Sequence, residues 1–152
     1  MNDDMRLFVT SEDAKMHLAL LLHVAKADGV LADKERAFIQ NTISIYSSLL
    51  GSATPDAIFN EIERIPFHSI SDWKSSLKNH PVQSRNLIKD LITLGYVDMD
   101  FSAQEKSIVD DVAAASGISR DVVEKIADAV RMIMEATRDL TQLIFVKSDK
   151  TV

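Results

Sequence analysis

The sequence has no cysteine, which excludes disulfides, thiolate catalysis and cysteine-based zinc or iron–sulfur sites. It has only four glycines, and their positions at helix ends or tight approaches leave none for a phosphate-cradling loop. The longest apolar run, Leu18 to Leu22, is far too short to cross a bilayer as a helix. The start, Met1 to Arg6, lacks the basic and then apolar layout of a secretory signal. The cytoplasm is therefore the expected location.

Positive charge is also scarce. Seventeen basic side chains stand against twenty-three acidic ones, for a formal net charge of -6, which argues against nucleic acid as a partner because phosphates need a clustered basic face. The 46% apolar content is ordinary for a soluble globular protein. A chain of 152 residues fits one domain with a substantial core. We predict a single domain over residues 1–152, with flexible ends at 1–9 and 147–152.

Apolar residues recur at helical spacing, and no segment shows the two-residue alternation of an exposed strand. The sequence therefore predicts an all-α bundle of about seven helices. Capping hydroxyls mark several helix starts, and Ser102 to Glu105 reads as a capping box. The predicted helices start near Ser11, Asp33, Pro55, Ser69, Pro81, Ser102 and Ser119.

One stretch of the chain is partly repeated seventy positions later. Ala25 to Arg36 contains an aspartate seven residues before a glutamate, and Gly95 to Lys106 repeats that spacing. Self-similarity of this kind indicates an internal repeat. We therefore predict two pseudo-repeated helical halves, at about 11–65 and 81–146, with the fourth helix between them.

The two acidic turns carry a family resemblance. Ala27-Asp28-Gly29 with Glu35, repeated later in an all-helical chain, resembles the TerB-like family of tellurite-resistance proteins. The resemblance implies a helical bundle whose acidic turn residues are associated with divalent cations. It does not imply an established enzyme. Carried over by position, the implied metal ligands are Asp28, Glu35, Asp98 and Glu105.

The second copy departs from the family pattern. Val97 replaces the alanine and Met99 replaces the glycine, and methionine tolerates positive φ less well than glycine. Asp100 is an additional carboxylate found only in this copy, and it completes the predicted metal set. From Tyr96 to Lys106 three acids face one base, so cation affinity is expected to depend mainly on this turn.

Two interpretations of these acids stay open. Calcium or magnesium prefers several carboxylate and carbonyl oxygens, which two adjoining acidic turns can supply. Alternatively, the acids are structural: Glu105 completes a capping box with Ser102, and Glu35 holds the same helical position. A calcium-binding EF-hand is rejected, since its first ligand position would fall on Val24 or Leu94, which offer no side-chain oxygen.

No nucleophile elbow, Ser-His-Asp order or P-loop is present in the sequence, so we expect no enzyme. His23 is expected to be a hydrogen-bonded core histidine. Two functions are then open. One is a cation-binding domain in a metal-stress response. The other is a helical protein–protein interaction module, with a protein partner or self-association. Membrane association is disfavoured because acids such as Glu124 and Asp128 interrupt the basic residues of the last helix.

Overall fold

In a computed structural model the chain is described at residues 8, 10–27, 29, 31–51, 53–66, 74–97 and 102–145. Within these ranges it forms eight helices and no strand. The predicted all-α class and the single helical domain are confirmed. The helices are α1 (Ser11–Ala25), α2 (Asp33–Ile45), α3 (Ser47–Leu50), α4 (Pro55–Glu63), α5 (Lys74–Asn79), α6 (Pro81–Val97), α7 (Ala103–Ser116) and α8 (Arg120–Ile144).

Side-chain caps fix several helix starts where the sequence predicts them. The Thr10 hydroxyl accepts the N–H of Asp13 at 3.1 Å at the start of α1. Thr54 caps α4 in the same way, ahead of a proline in the first turn, and Ser119 caps α8. Each cap satisfies one of the backbone donors that the first turn of a helix leaves unpaired.

The second predicted helix is interrupted. The sequence predicts it from Asp33 to Gly51, but the chain turns at Tyr46 (φ −94°, ψ 7°), which separates α2 from the short α3. The Tyr46 ring is buried and its hydroxyl bonds to Asp90, a contact that periodicity does not reveal. The predicted start of the helix now labelled α5, from Ser69 through Trp73, lies outside the described residues.

Helices α1 and α6 form the centre of the bundle. α1 packs against α2, α3, α4 and α6, whereas α6 packs against α1, α2, α5, α7 and α8. The sequence from Ala14 to Ala27 is apolar nearly all round, which predicts a central, buried helix, and the packing of α1 confirms it. Full burial of one large aliphatic side chain contributes roughly 1.5–3 kcal/mol. Among the side chains almost completely removed from solvent are Leu18, Leu21 and Leu22 of α1 with Leu87, Ile88 and Leu91 of α6.

The two-half repeat stays a prediction. α4 has nine residues, while its proposed counterpart α8 has twenty-five. In addition, α5 packs against both α6 and α7, so the helix between the proposed halves is joined to the second of them.

The last helix is the most exposed. At about 1.5 Å per residue, α8 is roughly 38 Å long, and Val130 is the only buried one of its twenty-five residues. Before Val130, residues such as Val123 and Ile126 pack partly against the core. From Arg131 onward every residue of α8 is exposed except the half-buried Met134. None of the helices in the described ranges is long and apolar enough to cross a membrane.

Candidate functional site

The two predicted acidic turns lead into α2 and α7, and each contributes a glutamate to the first turn of its helix. Oε1 of Glu35 accepts the backbone N–H of Ala32 at 3.1 Å. Oε1 of Glu105 accepts the backbone N–H of Ser102, also at 3.1 Å. The capping interpretation of both glutamates is therefore confirmed.

The two caps differ in one hydroxyl. The Ser102 hydroxyl accepts the N–H of Glu105 at 3.1 Å, which closes a reciprocal capping box. Ala32 has no oxygen to offer, although its backbone (φ −66°, ψ 152°) nearly matches that of Ser102 (φ −66°, ψ 160°). Glu35 is nevertheless buried, whereas Glu105 is half-buried. The turn before α2 therefore has one of the two hydrogen bonds of a capping box, whereas the turn before α7 has both.

The other three predicted ligands, Asp28, Asp98 and Asp100, lie outside the described residues. Gly29, beside the first of them, has a positive φ of 93°, a conformation that glycine adopts readily. Across the described ranges no group of three or more acidic or histidine side chains could hold a metal ion. Glu35 and Glu105 do not by themselves form the oxygen-rich set that calcium or magnesium requires. The cation site stays a prediction.

A different polar cluster, which the sequence does not predict, lies in the core. Nε2 of His17 on α1 lies 2.7 Å from Oδ2 of Asp90 on α6. The Tyr46 hydroxyl donates to the same oxygen at 3.0 Å, and Nδ2 of Asn86 donates to that hydroxyl at 3.1 Å. Nζ of Lys89 lies 2.9 Å from Oδ1 of Asp90. One carboxylate thus joins α1, α6 and the turn between α2 and α3.

The cluster shifts the pKa values of its acids. Burial alone would raise the pKa of Asp90, but the hydrogen bond and charge of His17 and the charge of Lys89 outweigh it and lower the pKa below its ordinary value. For Tyr46, burial raises the pKa, and the nearby Asp90 carboxylate raises it further. Asp90 is therefore held ionised and Tyr46 neutral.

Aromatic contacts close this cluster. The Phe8 ring meets the rings of His17 and Tyr46 edge to face, at centroid distances of 5.0 and 4.8 Å. Phe8 is only 4% exposed, although no pattern in the sequence predicts it as a core residue. The available signal for the cluster was Asp90, which lies close to the apolar residues Ile88 and Leu91 of α6, together with His17 on α1, a helix that is apolar nearly all round. The hydrogen bond expected of His23 is confirmed, since its Nε2 lies 3.0 Å from the Ile65 carbonyl oxygen, but this histidine is half-buried and does not lie in the core.

Two cavities open beside α8 within the described part of the chain. One, of about 700 Å³, lies between α6, α7 and α8 on an apolar floor that includes Ile92 and Val109. The other, of about 270 Å³, lies between α2, α6 and α8. Its walls include Ile45 and Ile133, which are 66% and 64% exposed and so lie at its mouth. Tyr46 and Asp90 also line it.

The second half of α8 carries an apolar surface, which we call the tail face. It continues the stripe by which Val123, Ile126 and Val130 meet the core, at the alternating three- and four-residue spacing of a packing helix. Its five large side chains are 57–73% exposed. The tail face consists of Ile133, Thr137, Leu140 and Ile144 at this spacing, together with Leu143 beside them and Phe145, the residue that ends the helix.

The sequence matches the family described as tellurite resistance protein TerB over residues 14–128. The chain belongs to the TerB family. This confirms the resemblance predicted from the acidic turns. The TerB match ends within α8, so the whole tail face lies beyond it. Comparisons with curated proteins and with solved structures give no match.

Proposed function

We propose that this TerB-family chain is a non-enzymatic helical binding module that holds a protein partner through the tail face of α8. We place it in a metal-stress response of the kind for which the family is named, in the cytoplasm. The observation that supports the proposal is the tail face itself, with Leu143 and Phe145 73% and 72% exposed. It lies on the part of α8 that follows the matched TerB segment, which ends at residue 128.

An apolar helix face in water needs a partner. Isolated helices shorter than about 12–15 residues are marginal in water, and most helical stability in proteins comes from packing an apolar face. Monomeric proteins rarely leave contiguous apolar patches larger than a few hundred Å² exposed. Since the stripe of α8 packs in its first half and is exposed in its second, a partner that covers the second half completes the same mode of packing.

The charges of α8 favour an apolar contact over an acidic docking surface. The side opposite the tail face carries both signs, with Arg131 and Arg138 against Glu135 and Asp139. These charges balance, so they give little steering toward a basic partner. We therefore place the partner on the apolar side of the helix.

The non-enzymatic part of the proposal is supported by the positions of the described titratable groups. His17 and Asp90 are bonded to each other in the core. Glu35 and Glu105 are engaged in their helix caps. A general acid or base needs hydrogen-bond reach to a substrate, and this arrangement favours structural roles for all four.

Binding of a divalent cation is the second candidate function. Membership of the TerB family supports it, as does the net charge of minus two between Tyr96 and Lys106. A carboxylate has about four lone-pair sites, so a glutamate that caps a helix keeps acceptor capacity. Asp28, Asp98 and Asp100 would have to supply the remaining oxygens.

Site-specific photo-crosslinking in living cells tests the binding proposal. The photoreactive residue replaces Leu140 on the tail face or, as the matched control, Gln142 on the opposite side of the same exposed turn. We expect a covalent adduct of defined mass from position 140 and none from position 142. Equal labelling from both positions, or no adduct from position 140, contradicts the proposal.

A further inference from the structure

We propose that the tail face binds a second copy of this chain, with the two α8 helices antiparallel. This inference rests on the proposed function, because it names the partner of the same face. Homodimers with two-fold symmetry are the commonest soluble oligomers, and their interface uses one patch on both copies. The tail face has the properties that such a self-complementary patch needs.

The first property is the absence of charge from the face. Between residues 130 and 145, all of which the structure describes, the charged side chains lie on the other side of α8. Two copies can therefore meet without opposing like charges, which would cost several kcal/mol. Ala136, Thr137 and Thr141 lie among the large side chains, and these smaller residues let two helices approach closely.

The second property is the order of large and small residues, which favours the antiparallel direction. Antiparallel packing can set Ile133 against Ile144 of the second copy and Thr137 against Leu140 of the second copy. Each Thr137 then faces a leucine, so that a large side chain fills the space beside a short one. Parallel packing would set Thr137 against Thr137 of the second copy and leave a gap between these two short side chains. Antiparallel helices also align their macrodipoles favourably.

The third property is the cavity next to Ile133. Because Ile133 and Ile45 flank the mouth of the cavity between α2, α6 and α8, a helix end placed over Ile133 also reaches that mouth. The antiparallel arrangement brings Ile144 and Phe145 of the second copy to this position. Phe145, which is 72% exposed, can then cover Ile45 and close the cavity, twice in each dimer.

The available area is sufficient for a stable dimer. If every exposed part of Ile45 and of the five large tail-face side chains is buried, the area is at most on the order of 800 Å² per copy, taking roughly 200 Å² for each fully exposed side chain, the middle of the aromatic range. A standard interface buries about 800 Å² on each partner. A heterologous contact, with the tail of one copy in the larger cavity of the next, would give a ring or an open filament and not a two-fold dimer.

Sedimentation equilibrium of the full chain tests the dimer, with Leu140→Glu as the variant and Gln142→Glu as its matched control. Both substitutions add one carboxylate to the exposed half of α8, so neither disturbs the buried core. We expect a dimer for the wild type and for Gln142→Glu. For Leu140→Glu we expect a dissociation constant at least about a hundredfold higher, because two unpaired carboxylates are then buried at the interface.

A monomeric wild type at about 100 μM, well above a micromolar dissociation constant, overturns the inference. So does an equal effect of the two substitutions. Photo-crosslinking separates this failure from that of the proposed function. An adduct from position 140 with twice the chain's mass indicates self-association. An adduct of another mass supports the proposed binding function but contradicts a second copy of the chain as the partner. The absence of any adduct contradicts both proposals.

The lack of native cysteine allows a clean test of direction. Chains with Ile133→Cys are mixed with chains carrying Ile144→Cys and oxidised by oxygen. We expect disulfide-linked dimers from the mixture and few from either variant alone. Efficient linkage within each single variant indicates parallel helices and contradicts the proposed arrangement. A dimer that links in no combination contradicts pairing through the tail face.

Discussion

His17 and Asp90 lie 73 positions apart in the sequence and meet in the core, with Nε2 of the histidine 2.7 Å from Oδ2 of the aspartate. The contact joins α1 to α6, the two helices around which the bundle is built. Because Tyr46 donates to the same oxygen, the carboxylate also fixes the turn between α2 and α3. A buried charge of this kind is tolerated only when its partners are all in place.

The first prediction concerns the loss of that charge. We expect Asp90→Asn to lower the free energy of unfolding by about 3 kcal/mol, since breaking a buried pair leaves its polar partners uncompensated. Urea denaturation measures the change. Asp110→Asn, an exposed aspartate of α7, is the control and should shift the free energy by less than about 0.5 kcal/mol. Equal effects of the two substitutions would refute a stabilising role for the core cluster.

The second prediction concerns pH. His17 and Lys89 lower the pKa of Asp90 against the opposing effect of burial, so the folded protein favours the ionised carboxylate more than the unfolded chain does. The stability that this provides is fully present above the ordinary aspartate pKa of 3.8. It is lost as the pH falls through the lower folded value. Urea midpoints followed from neutral pH to about pH 2 should fall more steeply for the wild type than for Asp90→Asn. Parallel curves would exclude this linkage.

The third prediction uses the unequal helix caps. Ser102→Ala removes the hydroxyl that closes the box at α7, and we expect it to lower the free energy of unfolding by about 1 kcal/mol. Ala32→Ser introduces a hydroxyl at a nearly identical backbone position before α2, and we expect a gain of about 0.5–1 kcal/mol. Thermal and urea unfolding measure both. The same sign for the two variants would show that the caps are not equivalent.

The fourth prediction tests the cation hypothesis. If the acidic turns bind a divalent ion, then calcium, magnesium or manganese should raise the melting temperature relative to chelator, because a ligand specific for the native state stabilises it. Asp98→Asn should remove the rise, while Asp56→Asn, an exposed aspartate in the first turn of α4, should keep it. No rise with any of the three ions would eliminate the hypothesis.

Much of the fold follows from the sequence because its signals are local. The apolar period of α1, the hydroxyl of Thr54 before a proline, and the Ser102 box each act within one or two helical turns. The glycine at position 117 ends α7 for the same reason, with a φ of 72° and the Ile118 N–H bonded to the Ala113 carbonyl oxygen. The family resemblance also depends on a local motif.

The sequence by itself thus determined the helices, most of their ends, and the family, since each depends on residues a few positions apart. Only the tertiary structure decided that Phe8, Tyr46 and Asp90 surround His17, because their contacts join segments that the chain separates widely. It also decided that the apolar stripe of α8 is largely exposed to solvent after Val130. An apolar stripe has the same sequence whether its partner is present or absent, so exposure depends on where the other helices end.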